Sequence, residues 1–408
     1  MPDLDLDFVR AQFPAFSEPT LEGWAFFENA GGSYPAEATV RRLTDFYRET
    51  KVQPDHPFPV SRRAGALMDE SYERIATCLN VAPDEVHFGP STSMNTYVLA
   101  HALRPLLTEG DEIVVTNQDH EANSGVWRRW EATGITVREW RIDPETAHLD
   151  PRDLANLLND RTRLVAFPHA SNVVAEINPV AEIAAMAREA GAISIVDGVA
   201  AAPHGLPDVD QLGCDVYLFS AYKTYGPHQG VMVVRRELNE RAENQGHYFN
   251  AHLSGKRLTP AGPDHAQVAA MSGIADYTDA LYTRHFRTNL AADGRARRVH
   301  DLMRDHEVAL MRPLLDYLAG RNDIRLIGPR EAERRAPTIS IVHERPGEAL
   351  AADLSLHKVM AGGGHFYGRR VVEALGIDPE HGALRLSFLH YTSRQEIDQV
   401  IEALDRVL

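Results

Sequence analysis

Between residues 86 and 235, short β-rich runs alternate with amphipathic segments, and this alternation constrains the fold more than any other feature of the chain. The runs are Glu112-Ile113-Val114-Val115, Thr136-Val137-Arg138-Glu139-Trp140, Leu164-Val165-Ala166-Phe167, Ile193-Ser194-Ile195-Val196, Val216-Tyr217-Leu218-Phe219 and Val231-Met232-Val233-Val234. Several are apolar at consecutive positions, as expected of strands covered on both faces. Helical patterns lie between them. Asn178-Pro179 reads as a capping side chain followed by proline at the first helical position, with Gly191 as the stop. Strands that alternate with helices predict a mainly parallel α/β sheet, whose ligands gather at the carboxyl ends of the strands.

After about residue 275 the pattern changes. A long helical stretch from roughly Asp293 to Ala319 precedes Pro337-Thr338-Ile339-Ser340-Ile341-Val342 and a helix starting near Ala349. Leu384-Arg385-Leu386-Ser387-Phe388 alternates like a half-buried strand, and Ser393-Arg394-Gln395-Glu396 is a capping box for a last helix. The expectation is a large α/β domain over residues 20–275 and a smaller α+β domain from residues 1–19 and 276–408.

Composition narrows the function classes. The formal net charge of −16 argues against a nucleic-acid or anionic-membrane partner, since both favour basic faces. Two isolated cysteines, Cys78 and Cys214, suit neither a disulfide framework nor a thiolate metal site. No apolar run approaches the roughly 20 residues that span a bilayer. The acidic start lacks the parts of a signal peptide, so a cytoplasmic protein is the expectation.

Two residues then suggest chemistry. Asp197 ends one apolar run, in Val196-Asp197-Gly198, and Lys223 lies just past the end of the next, in Phe219-Ser220-Ala221-Tyr222-Lys223-Thr224-Tyr225-Gly226-Pro227. An amine and a carboxylate so placed suit an enzyme that holds pyridoxal 5′-phosphate (PLP) covalently. The amine forms the Schiff base, and the carboxylate keeps the pyridine nitrogen protonated. An anion needs donors at a helix start, and Gly89-Pro90-Ser91-Thr92-Ser93 precedes a helical pattern. A plain N-cap would use the same residues.

With these motifs in place, the chain resembles the class V aminotransferase family of fold-type I PLP enzymes, and most of all its cysteine desulfurase-like branch. The likeness runs from Phe26-Phe27-Glu28-Asn29-Ala30-Gly31-Gly32 to the last helix. It implies a fold-type I large domain with a mainly parallel seven-stranded sheet. Lys223 is then the Schiff-base lysine and the base on the substrate Cα–H, Asp197 the pyridinium partner, and His120 the imidazole stacked on the ring. Thr92, Ser93, Ser220 and Tyr222 would hold the phosphate, with Tyr222 standing where desulfurases often have histidine. Asn172 would contact the phenolic oxygen. Ala200 stands where many relatives have glutamine near that oxygen, a loss for which His204 would compensate. Arg385 would grip the substrate α-carboxylate, with Asn29, Ala30 and Gly31 lining the substrate side. The resemblance also implies a homodimer in which the loop 259–265 reaches the partner's cofactor phosphate.

One departure matters. A desulfurase needs a thiol on a mobile loop, and the matching segment, Ala361-Gly362-Gly363-Gly364-His365-Phe366-Tyr367-Gly368, has no cysteine. Persulfide chemistry is therefore disfavoured. His365 and Tyr367 are candidates to touch the substrate side chain, or they are simply loop structure. The expected function is Cα–H chemistry on a small α-amino acid, by amino transfer or β-elimination of the C–S lyase type. An epimerase and a non-catalytic PLP-fold binding protein are the competing readings. No second histidine sits at zinc-ligand spacing from His120, so no metal is expected.

Overall fold

The β-rich runs become neighbouring strands of one seven-stranded sheet in this computed structural model, which describes residues 2–408. Across the sheet the order is Val86–Gly89, Gly230–Val234, Val216–Ser220, Ile193–Asp197, Thr162–Pro168, Glu112–Thr116 and Thr136–Trp140. Gly230–Val234 runs antiparallel to both neighbours, and every other adjacent pair is parallel. The consecutive apolar residues serve two faces. Val114, Val165, Val196 and Val233 pack into one core, while Val115, Ala166, Ile195 and Val234 pack into the other. Each face thus takes alternate residues, as the period-2 pleat requires.

The edge strand Val86–Gly89 is absent from the runs read in the sequence, because Val-His-Phe-Gly is too short and mixed to announce itself. The capping role read for Asn178 is not what the structure shows. The helix is Val180–Glu189 with Pro179 at its N-cap and no side-chain cap, and the Asn178 amide instead donates to Gln118 Oε1 and the Pro168 carbonyl. Tertiary partners won that side chain from its local helix.

A second, antiparallel sheet takes the order Gly362–Gly364, Ala383–Ser387, Thr338–Val342, Arg325–Ile327. Helices Ala292–Ala319, Gly347–Ser355 and Arg394–Val407 cover it, with Leu314, Leu350, Ile397 and Leu404 packing in one core with Leu386 of the sheet. Ser393 and Glu396 form the capping box: the Glu396 amide donates to Ser393 Oγ at 3.1 Å, and the Ser393 amide to Glu396 Oε2 at 2.7 Å. The alternation of Leu384 to Phe388 implied one wet face, yet every residue of Ala383–Ser387 is buried. Its polar positions are bonded instead: Arg385 donates to Glu28 and to the Asn172 carbonyl, and Ser387 Oγ accepts from the Ala30 amide. Ala25 and Phe27 pack in this smaller core, and Ala25–Phe26 pairs in parallel with Val359–Met360. Among the described residues, no helix is long and apolar enough to cross a membrane.

Candidate active site

The site lies where parallel strands end, because each strand's last residue hands the chain to a turn facing the cavity. Asp197 is the last residue of Ile193–Asp197, and Ser220 is the last of Val216–Ser220. A short 3₁₀ turn, Ala221–Lys223, then presents Lys223. Two strands along from Ile193–Asp197, beyond Thr162–Pro168, the strand Glu112–Thr116 ends, and the loop after it carries Asp119 and His120. Gln118 fixes that loop: its amide donates to Glu176 Oε2 at 2.8 Å and the Ala147 carbonyl at 3.0 Å, and its oxygen accepts from Asn178. One cavity is lined by Thr92, Ser93, Asp119, His120, Asn172, Asp197, Ala200, Ser220, Tyr222 and Lys223.

An anion cradle stands at one end. Ser91 caps the helix Thr92–Leu103 by accepting from the Met94 amide, and Thr92 Oγ1 lies 2.7 Å from Ser220 Oγ. The helix start comes this close to the sheet because Gly230 has no side chain. A Cβ there would sit 2.5 Å from the Thr92 nitrogen.

Electrostatics separate the titratable groups. Desolvation, reinforced by Arg385, lowers the Lys223 amine to about 8, against the opposing pull of Asp197 and Glu28. Burial raises the Asp197 carboxyl to about 6. Asp119 is also raised, first by burial and then by the charge of Asp197. His120 falls to about 4, through burial and the nearby Lys223 and Arg385, so it is neutral at neutral pH. Its Nδ1 accepts from the Ala122 amide at 3.0 Å, which caps the next helix and leaves the proton on Nε2.

Arg385 is placed differently. It is 3 % exposed, with its guanidinium carbon 3.9 Å from the centre of the Phe366 ring. Its Nη2 donates to Glu28 Oε1 at 2.7 Å, Nη1 donates to the Asn172 carbonyl at 3.3 Å, and Nε has no partner. The fork expected to grip a substrate carboxylate therefore already holds a carboxylate from the protein's own chain.

The remaining residues divide. Asn29 and Ala30 line a second recess, together with His204 and Ser387, whose wall shares Asn172, Val199, Ala200 and Lys223 with the main cavity. The Asn29 amide is committed to the carbonyls of Phe26 and Ser387, and its oxygen accepts from the Tyr391 hydroxyl. Gly31 lines neither space, and its amide donates to Glu28 Oε2 at 2.9 Å. His365 and Tyr367 also line neither. Tyr367 is 72 % exposed beside His120, and His365 Nδ1 accepts from the Tyr367 amide. The segment read as a loop from 361 is half strand: Gly362–Gly364 pairs with Ala383–Ser387, and only 365–368 is irregular. Sequence reasoning missed Asp119, Glu28 and Phe366. Glu28 and Phe366 sit inside segments quoted above and Asp119 precedes His120, but only the pairing of distant segments shows which way they face.

Asn172 Oδ1 and Asp119 Oδ1 are buried without partners, and a neutral-leaning amine and carboxyl share the cavity with hydroxyls at a helix start. This donor set fits a ligand that carries an aldehyde, a basic ring nitrogen and a phosphate.

The family comparison agrees with the geometry. The model of the class V aminotransferases matches residues 25–263 and 289–400, and the chain belongs to that family, whose members are PLP-dependent enzymes. It is 33% identical to the aminotransferase-like protein FGM3 of Gibberella zeae, over 99% of this chain and 98% of that one. It is 27% identical to a cysteine desulfurase of Pectobacterium carotovorum, over 98% of both chains. The fold is that of the cysteine desulfurase CsdA of Escherichia coli, with TM-score 0.83, 23% identity, and coverage of 100% of this chain and 99% of that one.

Proposed function

We propose that Lys223 holds pyridoxal phosphate and that the enzyme acts at the Cα–H bond of a small α-amino acid, by amino transfer or β-elimination. One observation carries this reading. An amine lowered to about 8 shares a cavity with a buried carboxyl, at the strand ends. Asp197 would face the ring nitrogen, Thr92, Ser93 and Ser220 the phosphate, and Asn172 the ring oxygen. Bound there, the cofactor supplies an electron sink for the pair left on Cα.

The protein's own residues do the rest. Lys223, once released by the incoming amino group, is placed to take the Cα proton as a neutral base. His120, neutral with its proton on Nε2, would cover one face of the cofactor ring without adding charge. Arg385 binds the α-carboxylate by exchanging it for Glu28, a bidentate match for a guanidinium. Phe366, lying over that guanidinium, keeps water off the pair. Persulfide formation finds no support. Both cysteines are buried, and burial pushes both thiols up to about 12, far from a reactive thiolate.

The active unit in this reading is a homodimer in which the loop 259–265 reaches the partner's cofactor phosphate. In support, Thr259, Gly262 and His265 line a surface groove rather than their own cavity, and Tyr248 and Phe249 stand exposed near it.

The test is direct. Purified enzyme should show visible absorbance from bound cofactor that Lys223→Ala removes. Amino acids are then screened with and without pyruvate or 2-oxoglutarate. Dependence on the keto acid indicates amino transfer, and release of pyruvate and ammonia indicates elimination. A colourless protein that stays colourless with added PLP would sink the reading.

A further inference from the structure

Next to Lys223, Tyr222 forms part of the cavity wall. Its backbone is pinned: the Tyr222 carbonyl accepts from the Ser33 amide at 3.1 Å and from the Ser33 hydroxyl at 3.2 Å. Burial raises the phenol, so it keeps its proton, and nearby Ser220 offsets part of that rise. Ser220 Oγ in turn lies 2.7 Å from Thr92 Oγ1, at the start of the helix Thr92–Leu103. The phenol end of Tyr222 therefore sits beside the anion cradle.

A pinned backbone does not fix a ring. The side chain still has staggered wells to choose from, and its hydroxyl travels far between them. The group that selects one orientation is His228. Its ring lies parallel to that of Tyr222, with 6° between the planes and 4.6 Å between the centres. Among the described residues, no other ring stacks there. The turn that brings His228 back over Tyr222 is closed by hydrogen bonds. The Gly226 amide donates to the Ala221 carbonyl, and the Ala221 amide to the Gln229 carbonyl, both at 2.9 Å. His228 itself is exposed and does not line the cavity, so whatever it does for a ligand there passes through Tyr222.

We propose that His228 is a positioning residue whose stack on Tyr222 holds the phenol hydroxyl toward the phosphate of the bound cofactor. Offset parallel rings at this separation attract each other beyond their buried area, and no charge on the imidazole is needed. This rests on the PLP reading given above.

The test measures the dissociation constant of PLP on the full-length chain, read from the absorbance of bound cofactor. His228→Ala should weaken PLP about twofold to tenfold, the worth of one aromatic stack. Binding of pyridoxal, which lacks the phosphate, should not change. His228→Phe, which can still stack, should recover most of the loss. In the Tyr222→Phe background no hydroxyl remains to be aimed, so His228→Ala should cost nothing further. A purely structural role would weaken both ligands alike, and in both backgrounds. Either result overturns the proposal, as does unchanged PLP affinity in His228→Ala or a loss that His228→Phe leaves in place. Wild-type protein that takes up no PLP would overturn the cofactor reading, and this role with it. Wild-type binding with unaltered variants overturns the role of His228 alone, so the two failures are distinguishable.

Discussion

On the sheet side of the cavity, Asp197, Ser220 and Lys223 sit at or just past strand ends, within one stretch of backbone. On the opposite side, Glu28, Phe366 and Arg385 meet from three segments far apart in sequence. The first wall is held by buried strands whose hydrogen bonds leave little freedom. The second includes Phe366 and Tyr367 at φ 51° and 57°, a left-handed pair that costs L residues about 1–2 kcal/mol each. Three hydrogen bonds hold that pair, from Asn172 to the Phe366 carbonyl, from the Glu121 amide to the Tyr367 carbonyl, and from the Tyr367 amide to His365 Nδ1. The contrast teaches that one wall is set by paired strands, whereas the other depends on left-handed backbone and on contacts between distant segments.

The largest effect should come from the rigid wall. In the proposed reading Lys223→Ala would remove both the tether and the base, and turnover should fall by about 10²–10⁴-fold or more, the range for a positioned proton-transfer group. Single-turnover assays with added PLP measure it, and a loss below tenfold would show that another group abstracts the proton.

Next comes Arg385 and its partner. Arg385→Ala should raise KM by about tenfold to a hundredfold, because a charge-assisted pair to the substrate carboxylate is lost. Glu28→Gln should act in the opposite direction, lowering KM a few-fold, since the substrate no longer displaces a charged competitor. If Glu28→Gln instead raises KM while kcat holds, Glu28 binds substrate and the exchange model is wrong. This pair of variants is the sharpest test of the contrast between the two walls.

A pH dependence follows from Asp197, whose carboxyl is raised in the ligand-free fold to about 6 from an ordinary 3.8. The folded state then holds a proton that the unfolded chain gives up. Stability from this group is full below pH 3.8 and lost as pH rises through about 6. Asp119 is shifted in the same direction and adds to the loss. A cationic ring beside Asp197 reverses its preference. The melting-temperature gap between PLP-bound and PLP-free protein should therefore widen between pH 4 and 7. A gap that is constant across that range would mean that Asp197 does not face the cofactor.

The rigid wall was also the legible one. Consecutive apolar runs announced the buried strands, and strand ends followed by Asp197 and by Ser220 to Lys223 located the site without any long-range contact. The other wall depends on register. Gly362 pairs with Arg385, and Glu28 bridges to Ser387, and neither pairing leaves a local signature. The glycine run there looked like a flexible loop, but packing demands it. A Cβ on Gly363 would lie 2.2 Å from the Glu348 nitrogen, at the start of the helix covering the sheet. The same limit explains Asn178, whose sequence context suits a helix cap while its amide is held by Gln118. Local chemistry reads local structure, and it fails where a distant partner competes for the same side chain.

The smallest effect concerns the thiols, and it decides whether the protein carries sulfur-transfer chemistry on its own cysteines. Cys78 lies in the helix Pro59–Cys78, and Cys214 precedes the strand Val216–Ser220; both are buried, and neither lines the cavity. Cys78→Ala and Cys214→Ala remove one small buried group each, so stability should drop by about 1 kcal/mol per site. Turnover per bound cofactor should match wild type within twofold. Persulfide transfer, by contrast, would make one of the two sulfurs indispensable, and the corresponding variant would be inactive while still binding PLP with an unchanged spectrum. Activity that persists in the double variant, with any C–S cleavage product appearing in solution rather than on the protein, assigns sulfur release to elimination from the substrate itself.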